Sequence, residues 1–323
     1  MRKTLKAALC AALAACAWLP VAHAASPYPN GPVRLIVPFP PGGPTDALAR
    51  VLAEGLQTRW KQPVIVENKP GAGTMIGADQ VAKAAPDGQT IGMVNSAYTI
   101  NPSVRRSMPY DTLRDLTGAS QLVESKLVLV ARADAPFNTV PQLIERARAH
   151  PGKLTYASPG AGTSTHLAGE LFKSNAGVDI VHVPYKGSSP AQTDLIGGQV
   201  DIMFDVLQSA LPLVQSGRLK IIALASAQRD PAFAQYPTVA ETLKGFEVGS
   251  MFGLVAPAGT PQPVLAAIRD GAAAVLETPQ VRRTLTDMGM TAVASTPEAF
   301  NGFLKAEIAK WREVVRTSGI QAE

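Results

Sequence analysis

The residues best placed to act on a small molecule lie in three glycine-rich turns. Pro159-Gly160-Ala161-Gly162-Thr163-Ser164-Thr165-His166 follows the short run Leu154-Thr155-Tyr156-Ala157, and Leu167, Ala168, Leu171 and Phe172 follow at helical spacing. The pattern predicts strand, turn and helix, with Thr163 or a neighbour as the N-cap. Unpaired amides and the positive end of the helix dipole coincide at such a turn, which suits a carboxylate or a phosphate. The letters Pro-Gly-Ala-Gly-Thr recur from Pro70 to Thr74 after Val64-Ile65-Val66, and Pro40-Pro41-Gly42-Gly43-Pro44-Thr45-Asp46 follows the run from Val33 to Phe39. One such turn is an ordinary α/β connection; three predict two lobes that present helix N-termini to a shared anionic ligand. His166 can donate to a ligand carboxylate, and Lys186 can supply a point charge. Asp46 lies three residues after Gly43, where a carboxylate caps the helix or recognises an amino or hydroxyl group of a ligand. Asp205, at the end of the run Val200 to Phe204, allows the same two readings.

Chemistry beyond binding is not supported. Ser164 and His166 are two residues apart and there is no G-x-S-x-G elbow. The glycines from Gly71 to Gly77 miss the dinucleotide-binding spacing, and no acidic residue stands about 20 positions further on. No phosphate-binding P-loop occurs. After residue 24 the histidines are His150, His166 and His182, without H-x-x-x-H or H-E-x-x-H spacing. The expectation is a protein with no catalytic residue, no metal and no cofactor.

The elements that must carry these turns can be read along the chain. Arg2, Lys3 and Lys6, the apolar run Ala7 to Val21 and the small-x-small site Ala22-His23-Ala24 predict a signal peptide over residues 1–24, too short for a stable membrane span. Leu13-Ala14-Ala15-Cys16 also fits a lipoprotein processing site, which would tether the chain through Cys16. Cleavage after Ala24 fits better, because the apolar run continues past Cys16. Of the formal net charge of +5, that leader holds three positive charges and no negative ones, so +2 remains and nucleic acid is not an expected partner. Cys10 and Cys16 both lie in the leader, so the mature chain is expected to lack thiols.

With 323 residues, 46% of them hydrophobic and 17% charged, the chain is long enough for two ordinary domains. From Val33, strand-like runs (Val33 to Phe39, Val64 to Val66, Thr90 to Val94) alternate with helical patterns containing Leu48, Val51, Leu52 and Leu56 and then Met75 to Ala85. That order implies a parallel sheet. Leu127 to Ala131 reads as a long strand, after which the alternation resumes through Val140 to His150, Leu154 to Ala157, Thr165 to Asn175, Ile180 to Val183, Ser189 to Ile196, Val200 to Phe204 and Lys220 to Ala225. Val248 to Val255 is strand-like, and three helical patterns close the chain. The predicted class is α/β, in two lobes that are each a mostly parallel sheet flanked by helices, with the ligand in the cleft between them. Lobe 1 is read as residues 26–125 and 246–323, and lobe 2 as residues 126–245. The crossings fall at Ser120 to Leu127 and Gly245 to Phe252. All three glycine turns lie at strand C-terminal ends, where open parallel sheets bind ligands.

Several motifs together resemble the Bug/TctC periplasmic solute receptors. They are Pro38-Phe39-Pro40-Pro41-Gly42-Gly43-Pro44-Thr45-Asp46, Val66-Glu67-Asn68-Lys69-Pro70-Gly71-Ala72-Gly73, Pro86-Asp87-Gly88, Gly160-Ala161-Gly162-Thr163 with His166-Leu167, Val183-Pro184-Tyr185-Lys186-Gly187, Gly198-Gln199-Val200-Asp201 and Ala256-Pro257-Ala258-Gly259-Thr260-Pro261. The resemblance covers the mature chain in order. It implies a periplasmic-binding-protein (flytrap) fold that holds small carboxylates largely through backbone amides. It also implies service to the permease subunits of a tripartite tricarboxylate transporter, here by a monomer in the periplasm. A sensor presenting its closed form to a membrane kinase would use the same ligand-driven closure. The candidate ligand contacts are Phe39, Gly42, Gly43, Asp46, Ala72, Gly73, Thr74, Ser96, Ser158, Gly162, Thr163, His166, Lys186, Gly187 and Asp205. Thr74, Gln89 and Met251 stand where the family often has Gly, Tyr and Trp; these departures bear on which acid is taken.

Overall fold

The computed structural model describes residues 28–185 and 187–318. The leader at residues 1–24, with Cys10 and Cys16, and Lys186 lie outside the described residues.

The long strand β4 (Leu116–Arg132) joins two half-sheets. Its first part, up to Lys126, pairs antiparallel with β9 (Gly249–Pro257), which pairs antiparallel with β3 (Thr90–Asn95). Beyond β3 come the parallel strands β1 (Val33–Val37) and β2 (Val64–Asn68). The second part of β4, from Leu127, pairs antiparallel with β7 (Ile202–Val206) and β8 (Leu219–Leu224). β7 runs parallel to β5 (Thr155–Ser158), and β5 parallel to β6 (Val181–Pro184). A short strand, β10 (Met290–Ala292), pairs with β4 in the first half-sheet.

Each half-sheet is covered on both faces, which is why its strands are apolar runs rather than alternating ones. Val33, Leu35 and Val37 pack on Leu48, Leu52 and Leu56 of helix α1 (Pro44–Trp60), whereas Ile36 points the other way, into a cluster with Tyr98 and Phe300. Leu127 and Leu129 of β4 join one core of the second lobe, with Tyr156, Phe172 and Phe204, while Val128 and Val130 join another, with Leu195 and Leu224.

Strand direction decides where the turns point. β1, β2, β3 and β4 share one direction, since β3 and β4 both run against β9; β4 leaves the first lobe for the second along it. The C-terminal ends of β1 to β3 therefore face the second lobe. β5, β6 and β7 run against β4, so their C-terminal ends face back toward the first lobe. A helix starts at or just beyond each of these six ends: α1, α2 (Met75–Ala82), α3 (Ala97–Val104), α5 (Ser164–Ala176), α6 (Ser188–Ile196) and α7 (Leu207–Gln215), with α4 (Val140–Ala149) lying between β4 and β5.

After β9 come α8 (Gln262–Leu276), α9 (Pro279–Asp287) and, after β10, the long helix α10 (Pro297–Ser318). α10 ties the halves together. Its Phe300 and Leu304 sit in a first-lobe cluster, and its Trp311 and Val314 in the second-lobe core with Phe204 and Phe246. Ile100 and Val104 of α3 enter that same core. Among the described residues no helix is long and apolar enough to cross a membrane.

Candidate functional site

The candidate site is the region between the lobes toward which six helix N-termini are directed, each by the strand before it. The first turns of helices carry amides without intrahelical partners and a partial positive charge. α1 begins at Gly43, α2 at Thr74, α3 at Ser96, α6 at Gly187 and α7 at Val206, and at none of these does the N-cap side chain accept a hydrogen bond from the helix. α5 alone of the six is capped, by Thr163.

In the first lobe the turn after β1 is locked by Asp46. Its carboxylate accepts from the Gly42 amide at 2.9 Å, from Arg50 at 2.8 and 3.1 Å and from Asn68 Nδ2 at 2.8 Å. The Arg50 guanidinium first, then the Gly42 and Asn68 donors, hold Asp46 down to about 2. Each contact found is internal, so the side chain serves as a brace for the turn. It also takes the Gly42 amide, which the sequence reading had given to a ligand. Asn68 donates in addition to the Phe39 carbonyl at 3.0 Å, joining the first turn to β2, and Phe39 itself packs against the first-lobe core.

The second turn is built from four consecutive residues with positive φ: Gly71 (130°), Ala72 (46°), Gly73 (61°) and Thr74 (83°). For Ala72 and Thr74 this is a strained region costing of order 1 kcal/mol or more each. What holds it is Asn101 of α3, whose Nδ2 donates to Gly73 O at 2.7 Å and to Thr74 Oγ1 at 3.3 Å. Sequence reasoning missed Asn101, because it lies on a helix that reading did not predict. Ser96, at the start of that helix, accepts the Met251 amide on its Oγ at 3.1 Å and so ties α3 to β9.

In the second lobe the main turn rests on stacked rings. Period-two alternation puts Tyr156 and Ser158 on one face of β5, and the parallel register sets His182 of β6 beside Tyr156. His182 lies between Tyr156 (centroids 4.8 Å apart) and His166 of α5 (4.0 Å). α5 reaches this close because residue 169 is glycine: a Cβ there would fall 2.1 Å from the Tyr156 ring. The Tyr156 hydroxyl donates to Glu170, which also takes Lys173 at 3.3 Å.

These rings fix the turn's polar groups. Gly162 N–H donates to His166 Nδ1 at 3.1 Å, so that nitrogen carries no proton. Ser158 Oγ lies 2.7 Å from His182 Nε2, donates to Gly160 O at 3.1 Å and accepts the Gly160 amide at 3.3 Å. With the serine proton on Gly160 O, His182 Nε2 is the donor. Thr163 Oγ1 donates to Gly160 O at 2.7 Å and accepts the His166 amide at 3.3 Å. Burial, followed by the Lys173 charge, pushes His166 down to about 4; burial, followed by the His166 charge, does the same to His182.

The sequence reading therefore needs correcting on which groups are free. The Gly162 amide, the Thr163 hydroxyl and the Ser158 hydroxyl are already used within the turn, which they stiffen. Gly187 donates its amide to Pro159 O at 3.0 Å, pinning the β6 turn beside the β5 turn. Asp205 is fully buried and accepts from Ser188 Oγ at 3.3 Å, Gln192 Nε2 at 2.6 Å and the Val206 amide at 2.8 Å. Burial pushes its carboxyl up, while those donors pull the other way. It clamps α6 to β7. Ser158 and His182 are close enough for a nucleophile–base pair, but Ser158 is fully buried and its proton lies on a backbone carbonyl. Among the described residues no cluster of metal-ligating side chains occurs. What the arrangement can do is hold an anion on backbone amides in a rigid frame.

Known proteins resemble this chain in sequence and fold. The family described as the tripartite tricarboxylate transporter family receptor matches residues 48–320. The structure of the periplasmic binding protein BugD is similar at 35% sequence identity and a TM-score of 0.74, covering 92% of this chain and 100% of that one. Rpa4515 of R. palustris, solved with adipate, is 34% identical with a TM-score of 0.77, over 91% of this chain and 99% of that one. MatC of Rhodopseudomonas palustris, solved with bound malate, is 32% identical with a TM-score of 0.74, over 89% of this chain and 100% of that one.

Proposed function

Since this chain belongs to the tripartite tricarboxylate transporter receptor family, we propose that it captures a small organic acid between its lobes in the periplasm and delivers it to the permease of such a transporter. The observation that carries the reading is that six strand C-terminal ends, each followed by a helix N-terminus, face the opposite lobe, five of those helices being without a side-chain cap at the N-cap residue. A site made of amides and helix dipoles favours an anion even before any side-chain charge is added. The two relatives solved with adipate and malate hold dicarboxylates, and a dicarboxylate has one anionic end for each lobe.

The energetics suffice. A micromolar ligand needs about 8 kcal/mol. Charge-assisted hydrogen bonds contribute roughly 1.5–3 kcal/mol each, and a helix N-terminus up to about 2 kcal/mol. Four such bonds and two helix ends reach that figure after ordering costs at the lower end of their range. In this reading the ligand contacts are the first-turn amides of α1 and α6, the Ala72–Thr74 turn and the amides of Ala161 and Ser164, with Lys186 supplying the point charge expected of it from the sequence. The lobes are residues 26–125 and 246–323 against 126–245, Phe246 and Val248 belonging to the crossing. The receptor acts as a monomer and turns nothing over.

A thermal-shift screen of the mature protein against mono-, di- and tricarboxylates, sugars and amines tests this. An acid at a hundred times its dissociation constant adds about 2.7 kcal/mol of stability. Stabilisation by sugars or amines and by no acid would overturn the proposal.

A further inference from the structure

We propose that Gln208 and Gly289 are positioning residues at the crossing between the lobes, and that their contact sets the span of the cleft and so the length of acid it accepts. This role rests on the capture of an acid between the lobes, but its first test needs no ligand. β7 and β10 both lie along β4, one on each side of the crossing. Val206 pairs with Leu127 in the second lobe, and Met290 pairs with Ser125 in the first. Only Lys126 separates the two registers. The chain leaving β7 therefore meets the chain entering β10 where one lobe passes into the other.

Gln208, in the first turn of α7, sits against the turn between α9 and β10. Its Nε2 donates to Thr286 O, one of the last carbonyls of α9, at 3.2 Å. The N-terminal turn of one helix thus meets the C-terminal turn of the other, which places opposite dipole ends together. Gly289 is fixed to the first lobe: its amide donates to Thr286 O at 3.0 Å and its carbonyl accepts Ser125 Oγ at 3.2 Å. Its φ of 72° favours glycine, and the space excludes anything larger. A Cβ at 289 would fall 2.0 Å from Gln208 Cγ and 2.5 Å from Gln208 Cβ. The second distance decides the matter, because that Cβ moves only with the α7 backbone and no rotation of the side chain relieves it. Gln208 Oε1 is buried and meets no partner among the described residues, so packing dictates where the amide sits.

A seam packed this tightly passes a displacement on instead of absorbing it. The cleft turns stand further out: β2 and β5 are each separated from β4 by at least one other strand. A small rotation at the seam therefore becomes a larger change in their separation. A dicarboxylate with one end on each lobe reads that separation as chain length.

Both cysteines lie in the leader, so Thr58→Cys and Lys153→Cys, exposed and one in each lobe, can carry a pair of spin labels on the mature protein. The labelled parent is compared with Gly289→Ala, Gln208→Gly and Gly289→Ala/Gln208→Gly, first without ligand. Carbon atoms in contact stand about 3.5–4.0 Å apart, so Gly289→Ala should shift the interlobe distance by about 2 Å or more. The double variant keeps the alanine at its unfavourable φ but frees the space, and should return to the parent distance. Gln208→Gly alone should broaden the distribution. The second arm titrates the same proteins with straight-chain dicarboxylates from malonate to suberate. Gly289→Ala should change the preferred length by at least one methylene, and the double variant should restore it. A fold that is merely weakened would lose affinity for every acid by one factor. An unmoved distance in Gly289→Ala, a shift that survives in the double variant, or a uniform loss across the series would overturn the proposal. If no diacid binds any of the proteins, the capture reading fails and the distances alone decide this one. If Gly289→Ala does not fold, an unbroadened distribution in Gln208→Gly overturns it.

Discussion

Acidification should destabilise this protein well above the pH at which its paired carboxylates protonate, because two imidazoles are held neutral behind the main turn. His166 moves from an ordinary 6.5 to about 4, which corresponds to roughly 3 kcal/mol of preference for the neutral ring. The unfolded chain takes up that proton near pH 6.5 and the folded chain near 4. Stability from this group is thus complete above the first value, drains away as the pH falls through the window, and is gone below the second. His182 shifts in the same direction, and with the rings 4.0 Å apart the first proton opposes the second, which deepens the loss. We therefore count at least about 3 kcal/mol for the pair, or a fall of at least about 5 °C in melting temperature between pH 7 and pH 4.5 in a chain of this size. The assay is the melting temperature against pH for the parent and for His166→Asn/His182→Gln. Asn Oδ1 can still accept the Gly162 amide and Gln Nε2 can still donate to Ser158, but neither titrates. Asp46, held near 2, and Asp205, pushed up by burial, are common to both proteins and cancel in the comparison. The double variant starts lower, having lost the ring stack, yet its curve should be flatter by about 5 °C or more. A variant curve parallel to the parent's would refute the neutral-stack reasoning.

Other substitutions probe the turns one at a time. Thr163→Ala removes the α5 cap and the bond to Gly160 O, and denaturant titration should show a loss of about 1 kcal/mol; because the hydroxyl is used internally, affinity for the acid found in the screen should fall less than tenfold. Thr74→Gly relieves a non-glycine residue at φ 83° and should leave stability unchanged or raise it by up to about 1 kcal/mol, whereas Asn101→Ala, which removes the donor to Gly73 O, should lower both stability and affinity in the same titrations. Dialysis against a chelator should change neither melting temperature nor affinity, since no cluster of metal-ligating side chains occurs among the described residues.

How much of this was legible in the sequence varies with the length of chain that fixes each feature. The strands before the glycine turns announce themselves as short apolar runs, and the turns themselves by their glycines. Helices α3 and α7 do not, because each carries an internal proline, Pro102 or Pro212, that reads as a break. In a helix of eight or nine residues such a proline sits near enough to the ends for tertiary packing to override it; Tyr98, Ile100 and Val104 of α3 are all buried. The first part of β4 hides for another reason: Ser120, Gln121 and Ser125 are polar yet buried, and Ser120 and the Gln121 amide bond to Ser295, far along the chain. Asp46 was ambiguous because its partners Arg50 and Asn68 belong to different elements. His182 gave no signal at all, since only strand register and the glycine at 169 bring it under the turn.

The sheet order also dictates a sequence of assembly. The second lobe's strands β5 to β8 are consecutive, and with the end of β4 they can pair as soon as that stretch of chain is free. The first lobe cannot follow suit: β9, which fills the place between β3 and β4, is supplied only after the whole second lobe has gone by. Until it docks, β3 and β4 present bare edges, the kind of surface on which chains aggregate. A chain emerging unfolded on the far side of a membrane would thus pair the second lobe's strands first, and use them as the clasp that returns β9 and then α10, whose Trp311 and Val314 finish the second-lobe core while Phe300 and Leu304 close the first. A chain cut near residue 245 lacks Phe246, Trp311 and Val314 and should yield a loosened second lobe attached to an open, aggregation-prone half-sheet.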